Sequence, residues 1–136
     1  MVSPALYLLD TNIASFVIRG HDARLLRRLR SHAVGAVAIS AVTEAELLYG
    51  RARKPGATAL AAAVDAFLAH VRTLRWDSAA AVRYGHLRAA LEAAGTPMGS
   101  MDTLIAAHAL AADAVLVSND QAFRRVKGLK VQDWTG

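Results

Sequence analysis

What most narrows the fold is an alternation: short apolar runs, each too short for a helix, stand between segments whose apolar residues recur at helical spacing. Ala5 to Leu9, Val34 to Ile39, Thr73 to Trp76, Ala114 to Val117 and Leu129 to Trp134 read as strands. Between the first two, Thr11 or Asn12 can cap a short helix towards Gly20, and Asp22 can cap another over Ala23 to Ser31. Leu25, Leu26 and Leu29 share one face of that second helix and leave its arginines outward. Ser40 is a cap for a helix carrying Ala41, Ala45, Leu48 and Ala52 on one side, and Pro55-Gly56 ends it. Further helices are predicted over about Thr58 to Val71, from Asp77 or Ser78 to Ala94 with Gly95 as the stop, and from near Asp102 to about Ala112. Asp113 then turns into a strand, and a short helix holding Phe123 and Val126 follows Asp120. This order predicts an α/β chain in three α/β/α layers, with a mostly parallel sheet of four to five strands and right-handed crossovers. With 136 residues, 54% of them apolar, a single domain over 1–136 is expected.

Open parallel sheets bind ligands beyond the carboxyl ends of their strands, where strand order reverses. Asp10 ends the first apolar run, and Asp120 follows Val117-Ser118-Asn119. Glu46 and Asp102 lie near the starts of later helices, at the same edge. Singly, each has an ordinary explanation as a helix cap or a complement to the helix dipole. Jointly they suggest a site, because carboxylates gathered without a lysine or cysteine repel one another unless a hard divalent cation takes their oxygens as ligands. Such a cluster points to metal-dependent phosphodiester chemistry. Glu44 competes with Glu46; the two point roughly 200° apart on a helix, and periodicity does not choose between them.

Other chemistries fare worse. The 5 histidines show no helical pairing and there is no cysteine, so a zinc site is not expected, and His108 reads as a packed or partly exposed helix residue. There is no phosphate-binding glycine loop with its lysine and no nucleophile elbow. An aspartyl-phosphate phosphatase with Asp10 as nucleophile is conceivable, but the position two residues on is Asn12, not an acid. A non-catalytic module binding nucleic acid or protein, its acids serving only as caps, is the main alternative.

The formal charge is +5, with basic clusters at Arg24, Arg27, Arg28 and Arg30, at Arg51, Arg53 and Lys54, and at Arg124, Arg125, Lys127 and Lys130. Polyanions are the natural partners, and solvated helix faces the plain alternative. Met1–Pro4 carry no charged leader, no stretch is long enough to span a bilayer, and the lack of cysteine fits a reducing compartment, so a cytoplasmic protein is expected.

Four segments, taken in order, carry a resemblance: Leu8-Leu9-Asp10-Thr11-Asn12, Ile39 through Thr43-Glu44-Ala45-Glu46-Leu47-Leu48-Tyr49-Gly50, Met98-Gly99-Ser100-Met101-Asp102 through His108-Ala109, and Val117-Ser118-Asn119-Asp120. Together they resemble the PIN-domain ribonucleases, and within them the VapC toxins of type II VapBC toxin–antitoxin pairs. The resemblance spans almost the whole chain. It implies a PIN-like fold, selects Glu46 over Glu44, and makes Asp10, Glu46, Asp102 and Asp120 both catalytic residues and metal ligands. Mg²⁺ or Mn²⁺ is the implied cofactor, and structured RNA, tRNA or rRNA, the substrate, cut by a metal-activated water. The implied partners are a second copy of the chain and a VapB-type antitoxin, with operator DNA reached only through the antitoxin complex. Asn12, Ser118 and Asn119 can orient water or phosphate around the acids, with helix capping an equal alternative. Where the family loop usually reads Gly-Pro, Ser100 follows Gly99, a change expected to alter loop rigidity and not ligation.

Overall fold

The structure is a computed structural model and describes residues 5–136; Met1–Pro4, the segment read as lacking a charged leader, lie outside the described residues. Its helices are α1 (Thr11–Arg19), α2 (Ala23–Arg30), α3 (Ala41–Ala52), α4 (Thr58–His70), α5 (Ser78–Ala93) and α6 (Ser100–Ala111). The strands are β1 (Tyr7–Leu9), β2 (Val37–Ser40), β3 (Arg72–Leu74), β4 (Val115–Val117) and β5 (Val131–Gln132), and 3-10 turns cover Val34–Ala36 and Gln121–Arg125. All strand pairings are parallel, in the order β3-β2-β1-β4-β5. The chain therefore winds outward from β1 in one direction, then returns to start again on its other side at β4. The reversal falls between β1 and β4, where such sheets open a crevice.

Side chains alternate across these strands and divide the core in two. Leu9, Ile39 and Val117 pack on one face with Ile13, Leu25, Leu47 and Val64, from α1, α2, α3 and α4. Leu8, Ala38 and Leu116 pack on the other with Ile105, Ala106 and Ala109 of α6, and with Phe123. The expected three layers are present. No helix among the described residues is long and apolar enough to cross a membrane.

Several boundaries differ from expectation. The run from Val34 begins as a 3-10 turn with Val34 81% exposed, so only its second half is strand. Trp76 lies beyond β3 and donates its indole N–H to the Leu104 carbonyl (3.0 Å). Trp134 is buried but outside β5, packed against Tyr7 and His32. Capping explains the rest. Asp22, Ser40 and Asp77 cap their helices as expected, but α1 is capped by Asp10 and not by Thr11 or Asn12. α6 starts at Ser100, which places Asp102 in its first turn, and the Gly99 carbonyl accepts from the Thr103 hydroxyl (2.8 Å). Gly95 follows α5 in the left-handed conformation, and Asp113 makes the turn into β4 at φ 51°.

Candidate active site

Strand β1 stops at Leu9 and α1 starts at Thr11, so Asp10 is the single residue between them. It is 3% exposed, and both carboxylate oxygens are engaged: Oδ1 accepts from the Ile13 amide (2.8 Å) as the helix cap, and Oδ2 accepts from the Ser118 hydroxyl (2.5 Å). The Asp10 amide donates to the Val117 carbonyl (3.1 Å), which extends the β1–β4 pairing to the site itself. Burial raises the Asp10 pKa to about 6 despite these two hydrogen bonds, and the charges of Asp102 and Asp120 push it in the same direction. A carboxylate this buried and this close to other acids lacks the positive charge that would stabilise its ionised form.

Ser118 joins two of the acids. Its hydroxyl donates to Asp10 and accepts from the Asp120 amide (3.0 Å), while Asp120 Oδ1 caps the following 3-10 turn by accepting from Ala122 (2.9 Å). Asp102 reaches the cluster from α6; burial first, then the charges of Asp120 and Glu46, raise its pKa. Glu46 arrives from α3, where the Thr11 hydroxyl donates to its Oε1 (2.6 Å). Thr11 also lies 3.1 Å from the Thr43 hydroxyl. A hydroxyl has one hydrogen to give, so with Thr11 donating to Glu46, Thr43 is the donor to Thr11. Thr43 to Thr11 to Glu46 is thus a directed relay that fixes one glutamate oxygen.

The structure therefore brings Asp10, Glu46, Asp102 and Asp120 into one electrostatic neighbourhood, and it is Glu46, not Glu44, that accepts from Thr11. Of the neutral neighbours, Ser118 touches the acids. Asn12 is exposed in a groove that Glu46 shares, and Asn119 is exposed with its side chain free of hydrogen bonds to the acids. Thr11, the partner of Glu46, and Thr43, the partner of Thr11, are contacts that sequence reasoning missed. A signal exists for Thr43, which precedes Glu46 by three residues and so shares its helix face. His108 is a core residue, buried, with Nδ1 2.8 Å from the Ser40 hydroxyl; burial lowers its pKa against the opposing pull of Asp77 and the Arg75 backbone.

One expectation needs correcting: a lysine does lie near. Lys54 lines a groove of about 350 Å³ together with Arg19, Arg53, Thr11, Asn12 and Glu46. It is not ion-paired with the cluster, since the ion pairs among the described residues are Arg51–Asp65 and Arg88–Glu92. No three acidic or histidine side chains among the described residues already form a closed ligand set. The donors are nevertheless all carboxylate and hydroxyl oxygens, the set that suits a hard cation such as Mg²⁺ or Mn²⁺ and not a soft one.

Comparison with known proteins agrees with this fold. The PIN domain family model matches residues 7–129. The chain is 35% identical over 130 residues to the tRNA(fMet)-specific endonuclease VapC of Shigella flexneri, covering 95% of this chain and 98% of that one. It is 34% identical over 129 residues to ribonuclease VapC2 of Haemophilus influenzae strain Rd, with coverage of 94% and 97%. Among solved structures, the DNA-bound VapBC of Salmonella typhimurium matches with a TM-score of 0.89 at 32% identity, over 96% of this chain and 98% of that one. VapBC2 of Rickettsia felis, bound to a fragment of its promoter, matches with a TM-score of 0.87 at 32% identity over 95% and 98%. The chain belongs to the PIN-domain family, in its VapC branch.

Proposed function

We propose that this protein is a metal-dependent endoribonuclease, the toxin of a VapBC-type pair, which hydrolyses phosphodiester bonds of structured RNA at the cluster of Asp10, Glu46, Asp102 and Asp120. The observation that carries the reading is a buried Asp10 whose pKa stands at about 6 under the charges of Asp102 and Asp120, with Glu46 in turn acting on Asp102 and no base ion-paired to these acids among the described residues. The VapC relatives support the ribonuclease class, and the one named for tRNA(fMet) makes tRNA the first substrate to test, with rRNA second.

The four acids would hold Mg²⁺ or Mn²⁺, which when bound supplies Lewis-acid activation of water and phosphate. The chain's own residues set the stage. Ser118 and the start of α1 hold Asp10 in one orientation, and the Thr43–Thr11 relay holds Glu46 in another. Fixed orientation matters because reacting groups misplaced by about 1 Å can cost a hundredfold in rate. In the metal-free protein the raised pKa of Asp10 keeps part of it protonated near pH 6, so metal binding, which needs the carboxylate, should weaken as pH drops through that range.

The same reading covers the partners. Crystal structures of VapBC complexes, two of them bound to DNA, support a VapB-type antitoxin for this chain, with operator DNA contacted through the complex. A homodimer, a cytoplasmic location and a single domain over 1–136 complete the proposal.

The test is to incubate a total tRNA and rRNA pool with the purified chain and with Asp10→Asn, in Mg²⁺, Mn²⁺ or EDTA. Discrete fragments that require metal and vanish in the variant are expected. Intact RNA under all conditions, from folded protein free of antitoxin, would sink the proposal.

A further inference from the structure

The carboxylate cluster leaves much of the positive charge without a role. Three surface grooves share walls. The groove that holds Glu46 and Lys54 includes Arg19. Arg19 also lines a second groove, of about 560 Å³, together with Phe16, Arg24 and Arg27. Arg24 and Arg27 in turn line a third, of about 530 Å³, with Arg28 and Trp134. Their common residues set the three grooves side by side, a path from Glu46 past the end of α1 and along α2.

Its charge is one-sided. Arg19, Arg24, Arg27 and Arg28 are exposed, and none is among the ion pairs of the described residues. Asp22, the acidic side chain of the second groove, accepts from the Leu25 amide (2.9 Å) as the cap of α2. Two of the arginines are held in place: the Arg19 guanidinium lies 4.9 Å from the Phe16 ring centroid, and that of Arg28 lies 5.4 Å from Trp134. Packing of α2 needs the leucine face alone, with Leu25 fully buried, so core formation does not require this row of like charges. A partner with regularly repeated negative charge relieves their repulsion and releases its own counterions.

We propose that this path is a second binding site, for the sugar–phosphate backbone of RNA remote from the bond that is cut, with Arg24, Arg27 and Arg28 as its anchor and Arg19 as the link to the cluster. The occupant rests on the ribonuclease reading. Phosphate contacts fix position and register without reading sequence, so the site holds long, folded RNA while leaving bond breakage to the acids.

The test compares the parent with Arg24→Gln/Arg27→Gln/Arg28→Gln, which keeps helix-forming side chains of similar length, and with the corresponding triple lysine variant. Binding of a labelled tRNA pool is read by fluorescence anisotropy without divalent metal across a salt series. Cleavage is read separately on tRNA and on a short oligoribonucleotide that spans only the cleft. The glutamine variant is expected to bind tRNA about tenfold more weakly, and its slope of log affinity against log salt should shrink by about two, near 0.7 for each phosphate that is no longer neutralised. Its KM for tRNA should rise with kcat unchanged, the short substrate should be cut as before, and lysine should restore most of the affinity. Unchanged tRNA affinity and slope in a folded glutamine variant would overturn the site, and that is also the result if the path serves an acidic protein segment. Absence of cleavage by the parent would instead overturn the nuclease reading and leave the binding measurement to decide the path.

Discussion

Asp10 is a helix cap, a strand-end residue and a member of an acidic cluster at once, and these roles conflict. Capping and the Ser118 hydroxyl favour its ionised form, whereas burial and the charges of Asp102 and Asp120 oppose it, and burial dominates. Its folded pKa of about 6 exceeds the ordinary 3.8, so between those values the folded protein binds a proton that the unfolded chain does not. Stability without metal should therefore rise as pH falls from about 6 towards 4, by on the order of 3 kcal/mol for this group. A metal-free urea series that shows Asp10→Asn and the parent with the same pH dependence would contradict this. At pH 7.5 Asn keeps the cap and removes the buried charge, so Asp10→Asn should lose cleavage while melting about 5 °C higher without metal. The threonine relay makes its own demand: Thr11→Val should cut kcat about tenfold and Thr11→Ser should restore it, since a hydroxyl donated to a carboxylate is worth at least that factor. Equal kcat in Thr11→Val would remove the relay from the mechanism.

At the scale of elements, helix starts carry much of the organisation. Asp77 accepts from the Ala80 amide (3.1 Å) at the head of α5, and Asp77→Ala should cost about 1 kcal/mol, read as a lower urea midpoint. Asp113 holds a left-handed conformation between α6 and β4, so Asp113→Gly should be neutral or stabilising, and Asp113→Val should destabilise by about 1–2 kcal/mol. A stabilising valine would show that the turn is not under this constraint. Ser40, Asp22 and Asp77 are legible as caps because each stands just before a segment of helical periodicity. Asp10 is not, because strand and helix abut there with one residue between them, and the pattern points to a cap one position too late. Strand ends read too long for a related reason. Trp76 and Trp134 are apolar, yet neither lies within a strand, and composition alone does not separate a buried strand residue from a buried irregular one. The four acids can be picked out because topology forces them to one edge. Thr11 cannot be assigned to Glu46, since that contact depends on how α1 and α3 cross.

At the scale of the whole molecule, the reversal of strand order gathers like charge, with Asp102 and Asp120 both acting on Asp10. Mn²⁺ at pH 7.5 should raise the melting temperature of the parent, because a ligand that binds only the folded state stabilises it by mass action, and should raise that of Asp10→Asn far less. Equal shifts in both would place the ion elsewhere. The same topology separates the components of the site along the chain: the Asp10–Ser118 bond joins residues 108 apart, and Asp120 lies two positions further on. During synthesis β1 emerges early, but its neighbour β4 emerges only after most of the chain, at about 5–20 residues per second. Until then Asp10 lacks Ser118, and the cluster lacks Asp120. The carboxylate cluster thus stays incomplete until the chain has emerged as far as Asp120.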